Sequence, residues 1–333
     1  MAATSTTETW DAAWTATERS RKGKATDNIF DSYPTLEAFK KSGLEISDGG
    51  KEFQVNLMYA KNSGEWFDGY DTLNTDAVDG ITSAFFPVRY VAVPITISFT
   101  EEQENKGSAK VFNLLRSKTD QSMLTMRDVV NAAIYGAASG KSMLGLQDIV
   151  ADSPSTGTKV GGINRASNSW WRNTSNTSAA TFTTQTVTNV FDGVDRFLDV
   201  WDAISEGNDT PTHILTTAAI QRAYREALSS AGYARAELSG ASSQQFAAVG
   251  GTGNSVPFYG APVIADQDCS ASHAYFVNMK YMKIKLLRGV NFAKTPFKEG
   301  PNQLAKVAFL VVGLQLTSDN CRRQGVATAI TGA

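Results

Sequence analysis

The amino-acid sequence predicts an α+β fold, on three observations. Apolar residues alternate with polar ones over 52–59 and again over 88–99, which is typical of half-buried strands. The segment 101–138 contains no proline, and its apolar residues recur at threes and fours, as in an amphipathic helix. Helical and strand-like patterns then alternate over 187–287, which indicates a compact α/β unit.

The two alternating runs predict a two-stranded ribbon joined by a glycine-rich tip, 61–84, which carries Trp66, Phe67 and Tyr70. The apolar faces are Phe53, Val55, Leu57 and Tyr59 in the first run and Val91, Val93, Ile95, Ile97 and Phe99 in the second. An isolated ribbon is at best marginally stable in water, so this face needs cover. Because no helical segment lies between the two runs, we expect neighbouring molecules to supply that cover.

The helix predicted over 101–138 would be about 50 Å long at 1.5 Å per residue. Glu101, Glu102 and Glu104 stand at its N-terminal end, where negative charge suits the helix dipole. Few compact domains need a helix of this length, and we interpret it as a stiff spine.

After the spine, the sequence pattern predicts several short helices and strands. The predicted helices are 187–206 and 217–230, and the predicted strands are 213–215, 258–265, 274–277 and 281–287. Segment 306–316 is apolar on both faces, which predicts a central strand. By contrast, the first 47 residues are polar apart from isolated pieces such as Trp10 and Trp14, and we expect an arm that lies against other subunits.

Composition excludes several classes of protein. The chain has 333 residues, 42% of them hydrophobic and 19% charged, which is ordinary for a globular protein. A net charge of −2 argues against DNA binding through a basic excess, and the one basic run, 19–24, is interpreted as solvated surface. Cys269 and Cys321 are too sparse for a disulfide framework or a zinc site and favour a reducing cytoplasm. We expect neither a signal peptide nor a membrane span.

No pattern in the sequence predicts catalysis. Gly140-Lys141-Ser142 resembles the end of a phosphate-binding loop, but the upstream glycine is missing and the segment follows a helix. His213 and His273 are interpreted as half-buried structural side chains. The acid-rich segment 65–79 has the ligand type for calcium but not the EF-hand spacing, so a solvated loop is the favoured interpretation. We therefore predict no catalytic, cofactor-binding or metal residues, while paired acids for glycoside cleavage stay open.

The order of these parts resembles one family, the major capsid proteins of tailed bacteriophages. The resemblance covers nearly the whole chain by order of elements, beginning with the strand 85–99 that runs into the helix. Further along, the similar motifs are Gly145-Leu-Gln-Asp-Ile149, Val160-Gly-Gly-Ile163-Asn-Arg165, Trp170-Trp171-Arg172-Asn173, His213-Ile-Leu-Thr216, Phe258-Tyr-Gly260-Ala-Pro262-Val263, Tyr275-Phe276-Val277 and 302–326 with Arg322-Arg323.

This resemblance implies the tailed-phage capsid fold, with an N-terminal arm, an extended β-hairpin loop, a long spine helix in a peripheral domain and an α/β axial domain. Carried over, the parts are the arm 1–50, the extended loop 51–100, the spine 101–140, the axial domain 141–287, the peripheral strands 288–322 and a C-terminal segment 323–333 that returns to the axial domain. Some relatives join subunits covalently through a lysine and an asparagine. Lys61 and Asn62 lie in the loop, but the required set of three residues is not matched, and that chemistry is not carried over.

The resemblance implies a structural protein and not an enzyme. Such subunits self-assemble as pentamers and hexamers into an icosahedral head that encloses double-stranded DNA without sequence-specific binding. Portal, scaffolding and decoration proteins are the other expected partners, with no membrane. Assembly is expected in the host bacterial cytoplasm, and the virion is the final location. The alternatives are an encapsulin-like compartment that encloses enzymes, a phage tail or surface structural protein, and a carbohydrate-active enzyme with paired acids.

Overall fold

The computed structural model describes residues 33–104, 108–187, 190–230, 257–300 and 304–331. Most of the predicted N-terminal arm, including Trp10, Trp14 and the basic run, lies outside these residues. The described residues form two main sheets, one long helix that contacts both sheets, and a separate β-ribbon.

Helices and strands are numbered in chain order. The helices are α1 (Pro34–Ser42), α2 (Phe99–Glu104), α3 (Ser108–Tyr135), α4 (Leu146–Ile149), α5 (Asp192–Ile204) and α6 (Ala218–Ser230). The strands are β1 (Leu44–Ser47), β2 (Glu52–Met58), β3 (Ile81–Pro87), β4 (Arg89–Ser98), β5 (Lys159–Val160), β6 (Ile163–Asn164), β7 (Thr174–Asn176), β8 (Ala180–Thr181), β9 (Gln185–Val187), β10 (Val190–Phe191), β11 (His213–Thr216), β12 (Pro257–Phe258), β13 (Ala261–Ala265), β14 (Ala274–Val277), β15 (Met282–Leu287), β16 (Ala293–Lys294), β17 (Lys298–Glu299), β18 (Ala305–Ser318), β19 (Gly325–Ala327) and β20 (Ile330–Thr331).

The first sheet is built around β18, in the segment predicted to be a central strand. β18 pairs antiparallel with the whole of β4, and also with β15, β16 and β17, while β1 adds parallel to β15. On the core face, Ile95 and Ile97 of β4 pack with Leu115 of α3. Both faces of the second half of β18 are buried, in agreement with the prediction of a central strand.

The second sheet has the strand order β12-β13-β11-β14-β19-β7. Aromatic side chains join it to α5 and α6, and the ring of Phe197 meets that of Phe276 edge-on at 5.2 Å. The predicted strands 213–215 and 274–277 are confirmed. The single strand predicted over 258–265 is wrong, because Tyr259 and Gly260 take positive φ angles of 47° and 86° and turn the chain between β12 and β13.

Helix α3 confirms the predicted spine in type, although it ends at Tyr135, three residues before the predicted end. Its 28 residues span about 42 Å at 1.5 Å per residue. Near its middle, the Ser122 hydroxyl donates to the Pro94 carbonyl in the first sheet. At its C-terminal end, the Tyr135 ring lies 6.4 Å from Tyr275 in the second sheet. Among the described residues, no helix has a stretch long and apolar enough to cross a membrane.

The predicted pairing of the ribbon is wrong. β2 pairs with β3, from Glu52 opposite Pro87 to Met58 opposite Ile81, and not with the 88–99 run. The sequence of β3 hides this strand because Phe85 is apolar on the face opposite to Phe86, so no clean alternation marks it.

The prediction that neighbouring molecules cover the ribbon's apolar face is also wrong. Side chains from both strands are buried within the same chain, namely Phe53, Val55, Leu57, Ala84 and Phe86. They rest on the β5–β6 hairpin, where Gly161 takes a φ of +60° and its missing Cβ leaves room for Ala84 and Phe86. The backbone N–H of Phe85 donates to the Gly161 carbonyl at 2.9 Å.

The predicted arm does not extend through residues 33–47. Leu36 and Phe39 on α1 are fully buried in the core, and the Thr35 and Tyr135 hydroxyls lie 2.6 Å apart. β1 continues the first sheet, and its Glu45 lies 3.4 Å from the Lys285 ammonium group. These residues therefore belong to the body of the subunit.

The helix predicted over 187–206 begins later than expected. β9 and β10 pair with one another immediately before it, so α5 starts only at Asp192. Asp192 and Asp195 in the first turn suit the helix dipole. The buried stripe consists of Phe197, Val200, Trp201 and Ile204, with Gly193 packed against the Phe182 ring.

Candidate assembly surface

The ribbon tip, residues 60–80, exposes several large apolar side chains. Trp66 and Tyr70 are fully exposed, with relative accessibilities of 103% and 106%, and Phe67 is 68% exposed. Soluble monomers rarely expose a group of aromatic side chains together, and such a group marks an interaction surface. The candidate surface is therefore the tip, and not the ribbon face that the sequence predicted.

The tip is also acidic. Five carboxylates and Lys61 give residues 60–80 a net charge of −4, and all five carboxylates are exposed: Glu65, Asp68, Asp71, Asp76 and Asp79. Asp71 accepts a hydrogen bond from the Asp68 backbone at 2.9 Å, and Glu65 accepts one from the Asn74 backbone at 3.4 Å. No three His, Cys, Asp or Glu side chains converge on a metal position anywhere in the described part of the chain, the tip included.

Aromatic contacts hold the base from which the tip projects. Tyr59 stacks on Trp170 with ring centroids 5.0 Å apart and planes 16° apart. The neighbouring Trp171 is buried, and its Nε1–H donates to the Val160 carbonyl at 3.0 Å, which fixes the β5–β6 hairpin. The tip therefore projects from a base that these aromatic contacts hold in place.

Arg165, directly after β6, stabilises the β5–β6 hairpin and the segments around it. The fully buried guanidinium donates to the Ile149 carbonyl and to Asn173 Oδ1, both at 2.9 Å, and to Thr158 Oγ1 at 3.1 Å. Burial lowers the pKa of Arg165. Its rigid fork of donors lets one side chain join three separate segments.

A second exposed surface lies on the first sheet, on the face opposite to α3. We name it the outer face, and its residues are Tyr90, Ala92, Pro94, Thr96, Val307, Phe309 and Val311, which the register of β4 and β18 places on one side. Tyr90 is 56% and Phe309 42% exposed. Exposed Lys298 lies at one end, opposite Val307. The outer face is thus a flat apolar surface beside a positive charge.

The two histidines do not form a catalytic arrangement with the described residues. Burial lowers the pKa of His213 to about 4, so this ring is neutral at pH 7. His273 lies 3.1 Å from Asp152 Oδ2 and 2.6 Å from the Ala271 carbonyl, which occupies both ring nitrogens. Ser270 bonds instead with Gln147.

The two cysteines lie in the interior. Cys269 and Cys321 are buried free thiols, and burial raises the pKa of each to about 12. A thiol with so high a pKa is a poor nucleophile at neutral pH, because the thiolate is the reactive form.

Solved structures resemble this chain along most of its length. The capsid asymmetric unit of cyanophage A-1(L) matches with a TM-score of 0.64 and 16% identity, over 92% of this chain and 94% of that chain. The capsid of Myoviridae phage XM1 matches with a TM-score of 0.55 and 12% identity, over 87% and 91%. The chain has the phage capsid fold. No protein-family model matches the chain, and no curated protein matches it in sequence.

The solved structures that resemble the chain also include an encapsulin shell. An encapsulin complex from Synechococcus elongatus PCC 7942 matches with a TM-score of 0.51 and 9% identity, over 87% of this chain and 86% of that chain. Sequence reasoning identified the tip aromatics but missed the outer face. The signal that could have indicated it is that Tyr90, Ala92 and Pro94 are themselves apolar, on the face opposite to the predicted buried residues of this strand.

Proposed function

We propose that the chain is a major capsid protein, which self-assembles as pentamers and hexamers into an icosahedral head that encloses double-stranded DNA. The observation that carries this proposal is the likeness to the cyanophage A-1(L) capsid unit over 92% of the chain. The exposed aromatic tip supports it independently, because a loop of this kind needs a partner surface.

The domain division that we propose follows the capsid fold with one revision. The arm is confined to 1–32, since α1 and β1 pack into the body. The extended loop is 51–100, although only the ribbon β2–β3 and its tip project, while β4 lies in the first sheet. The spine is 101–140, the axial domain 141–287 and the peripheral strands 288–322. The pairing of β19 with β14 and β7 supports a return of 323–333 to the axial domain.

In the proposed assembly, the tip of one subunit packs on the outer face of its neighbour. Trp66, Phe67 and Tyr70 would lie on apolar surface that includes Tyr90 and Phe309. Burying one aromatic side chain removes about 150–250 Å² from water, which contributes roughly 4–6 kcal/mol before the costs of association. The net negative charge of the tip would favour the end of the outer face that carries a lysine.

The chain would act as a structural protein and not as an enzyme. Its other proposed partners are portal, scaffolding and decoration proteins, together with packaged DNA held without sequence recognition. We place its assembly in the host bacterial cytoplasm and its final location in the virion. An encapsulin-like compartment is the second candidate, supported by a lower TM-score, 0.51 against 0.64.

Electron microscopy of the purified full chain tests the proposal. We expect closed icosahedral shells, and nuclease-protected DNA in particles isolated from infected cells. Shells that contain a single enzyme species and no DNA would support the encapsulin alternative, and open tubes would support a tail protein. A monodisperse monomer at high concentration would contradict all three.

A loop variant sharpens the test. Replacing residues 61–79 by a short Gly–Ser turn removes the tip while keeping the Tyr59-to-Gly80 backbone hydrogen bond and the covered base. We expect this variant to fold but to form no shells. The matched control, Thr72→Ala with Thr75→Ala, changes the same loop without touching its aromatics and should assemble normally.

A further inference from the structure

A buried polar cluster joins the long helix to the second sheet. Asn131 on α3 is fully buried, and its Nδ2 donates to Asp266 Oδ1 at 2.9 Å and to Asp268 Oδ2 at 2.7 Å. Both aspartates lie in the turn that follows β13. The fold thus brings two carboxylates to one amide from 135 and 137 positions away in the sequence.

Two oxygen atoms of this cluster have no hydrogen-bond partner among the residues that the structure describes. They are Asn131 Oδ1 and Asp266 Oδ2, and both atoms are shielded from solvent. The Asn131 amide cannot be turned around to satisfy its oxygen, because Oδ1 would then face two carboxylates. Each open acceptor in the interior costs free energy unless something binds it.

Among the described residues, no cationic side chain pairs with the two aspartates of this cluster. Of the two, Asp266 is only 3% exposed. A buried carboxylate is normally paired with a cation or coordinated to a metal. The amide of Asn131 donates hydrogen bonds to the two carboxylates but does not neutralise them.

A third carboxylate adds to the negative field around this position. Asp128, nearly one helical turn before Asn131, accepts a hydrogen bond from the Tyr33 hydroxyl. That bond, together with burial and the charges of Asp128, Asp268 and Asp266, raises the pKa of Tyr33 to about 12. The charges of all three carboxylates therefore act on the Tyr33 hydroxyl, and Asp266 and Asp268 are the two that meet at Asn131.

We propose that this cluster binds a hard divalent cation, calcium before magnesium, through Asp266 Oδ2, Asn131 Oδ1 and the Asp268 carboxylate, with water completing the shell. The three proposed ligands all bind through oxygen atoms, which favours a hard cation over zinc. Calcium tolerates irregular sets of six to eight oxygens, whereas magnesium demands near-octahedral geometry. The ion would tie α3 to the second sheet, far from the acidic tip, and its binding does not depend on whether the chain builds a shell.

Terbium luminescence on the purified full chain tests the site. Tb³⁺ takes calcium positions, and two tyrosines stand beside the cluster to sensitise its emission: Tyr33, which is bonded to Asp128, and Tyr135, one helical turn after Asn131. We expect a saturable signal that Ca²⁺ displaces, and a midpoint of thermal unfolding that rises by about 2–4 °C in Ca²⁺ relative to EDTA.

Three variants locate the ion. Asp266→Asn keeps the shape and can donate to Asn131 Oδ1, so it should fold, bind Tb³⁺ at least about tenfold more weakly and lose the Ca²⁺-dependent shift. Asp199→Asn, on the exposed side of α5, should bind as the native chain does. The double variant Asp68→Asn with Asp71→Asn, in the tip, should also bind normally.

The opposite results would overturn the proposal. A native chain without saturable Tb³⁺ binding, or an Asp266→Asn chain that binds as tightly as the native one, excludes this site. Loss of binding in the tip variant alone would place the ion in the tip instead.

Discussion

The base and the tip of the ribbon both carry large apolar side chains, but they differ in whether the same chain buries them. At its base, Phe53 and Phe86 are buried against hairpin β5–β6 of the same chain. At its tip, Trp66 and Tyr70 have no such cover. The base is therefore stabilised by folding alone, whereas in the proposed assembly the tip would be covered by another molecule. Substitutions at the base should change subunit stability, and substitutions at the tip should change association.

The largest effect on subunit stability is expected for Phe86→Ala. This ring is fully buried, so its removal should lower the free energy of unfolding by about 3–5 kcal/mol. Denaturant unfolding of dissociated subunits measures the loss. The neighbouring Phe85 points to the exposed face, and Phe85→Ala should cost less than about 1 kcal/mol. Equal losses for the two variants would mean that the base is not covered as described.

Gly161→Ala should have the next largest effect, about 2–3 kcal/mol. The positive φ at this position disfavours any side chain, and the added Cβ would lie 2.7 Å from Ala84 Cβ. Gly162→Ala is a matched control, because its φ of +82° carries the backbone cost while its Cβ meets nothing. The difference between the two unfolding free energies measures the contact with the ribbon, and no difference would show that this contact is absent.

Tyr59→Ala should cost about 0.5–1.5 kcal/mol through the lost stacking on Trp170. Met58→Ala, at the more exposed neighbouring position, should be close to neutral. A double-mutant cycle with Trp170→Ala isolates the ring contact. A coupling energy near zero in that cycle would mean that the tip is not anchored here.

The smallest change in subunit stability is expected at the tip itself. Replacing Trp66, Phe67 and Tyr70 together by alanine should change the unfolding free energy by less than about 1 kcal/mol, because these side chains contact solvent. The same variant should fail to assemble, as measured by sedimentation velocity. A strongly destabilised triple variant, or one that forms normal shells, would contradict the contrast between base and tip.

Local patterns in the sequence predicted the elements better than their partners. Segment 306–316 was recognised as a central strand because both of its faces are apolar, and the spine was recognised from its length without proline. The partner of β2 was missed, since strand pairing is set by contacts distant in sequence and β3 shows no clean alternation. α1 was assigned to an arm because its buried face carries only two large apolar side chains, Leu36 and Phe39.

The polar cluster at Asn131 could not be predicted from the sequence either, because its contacts also join residues that are distant in the chain. Asn131 is an ordinary polar residue within a helical pattern, and Asp266 and Asp268 stand in a turn. Only the packing of α3 against the second sheet brings them together. The tip, in contrast, was recognisable, because its aromatics occur in a long glycine-containing segment between two strand patterns.

Strand β19 has a consequence for biosynthesis. It lies between β14, about 50 residues earlier, and β7, about 150 residues earlier, and it pairs with both. While a ribosome is still translating the chain upstream of residue 325, these two strands have a gap between them and cannot meet. Incomplete translation products would therefore lack a finished second sheet, and their unpaired strands would be open to proteolysis.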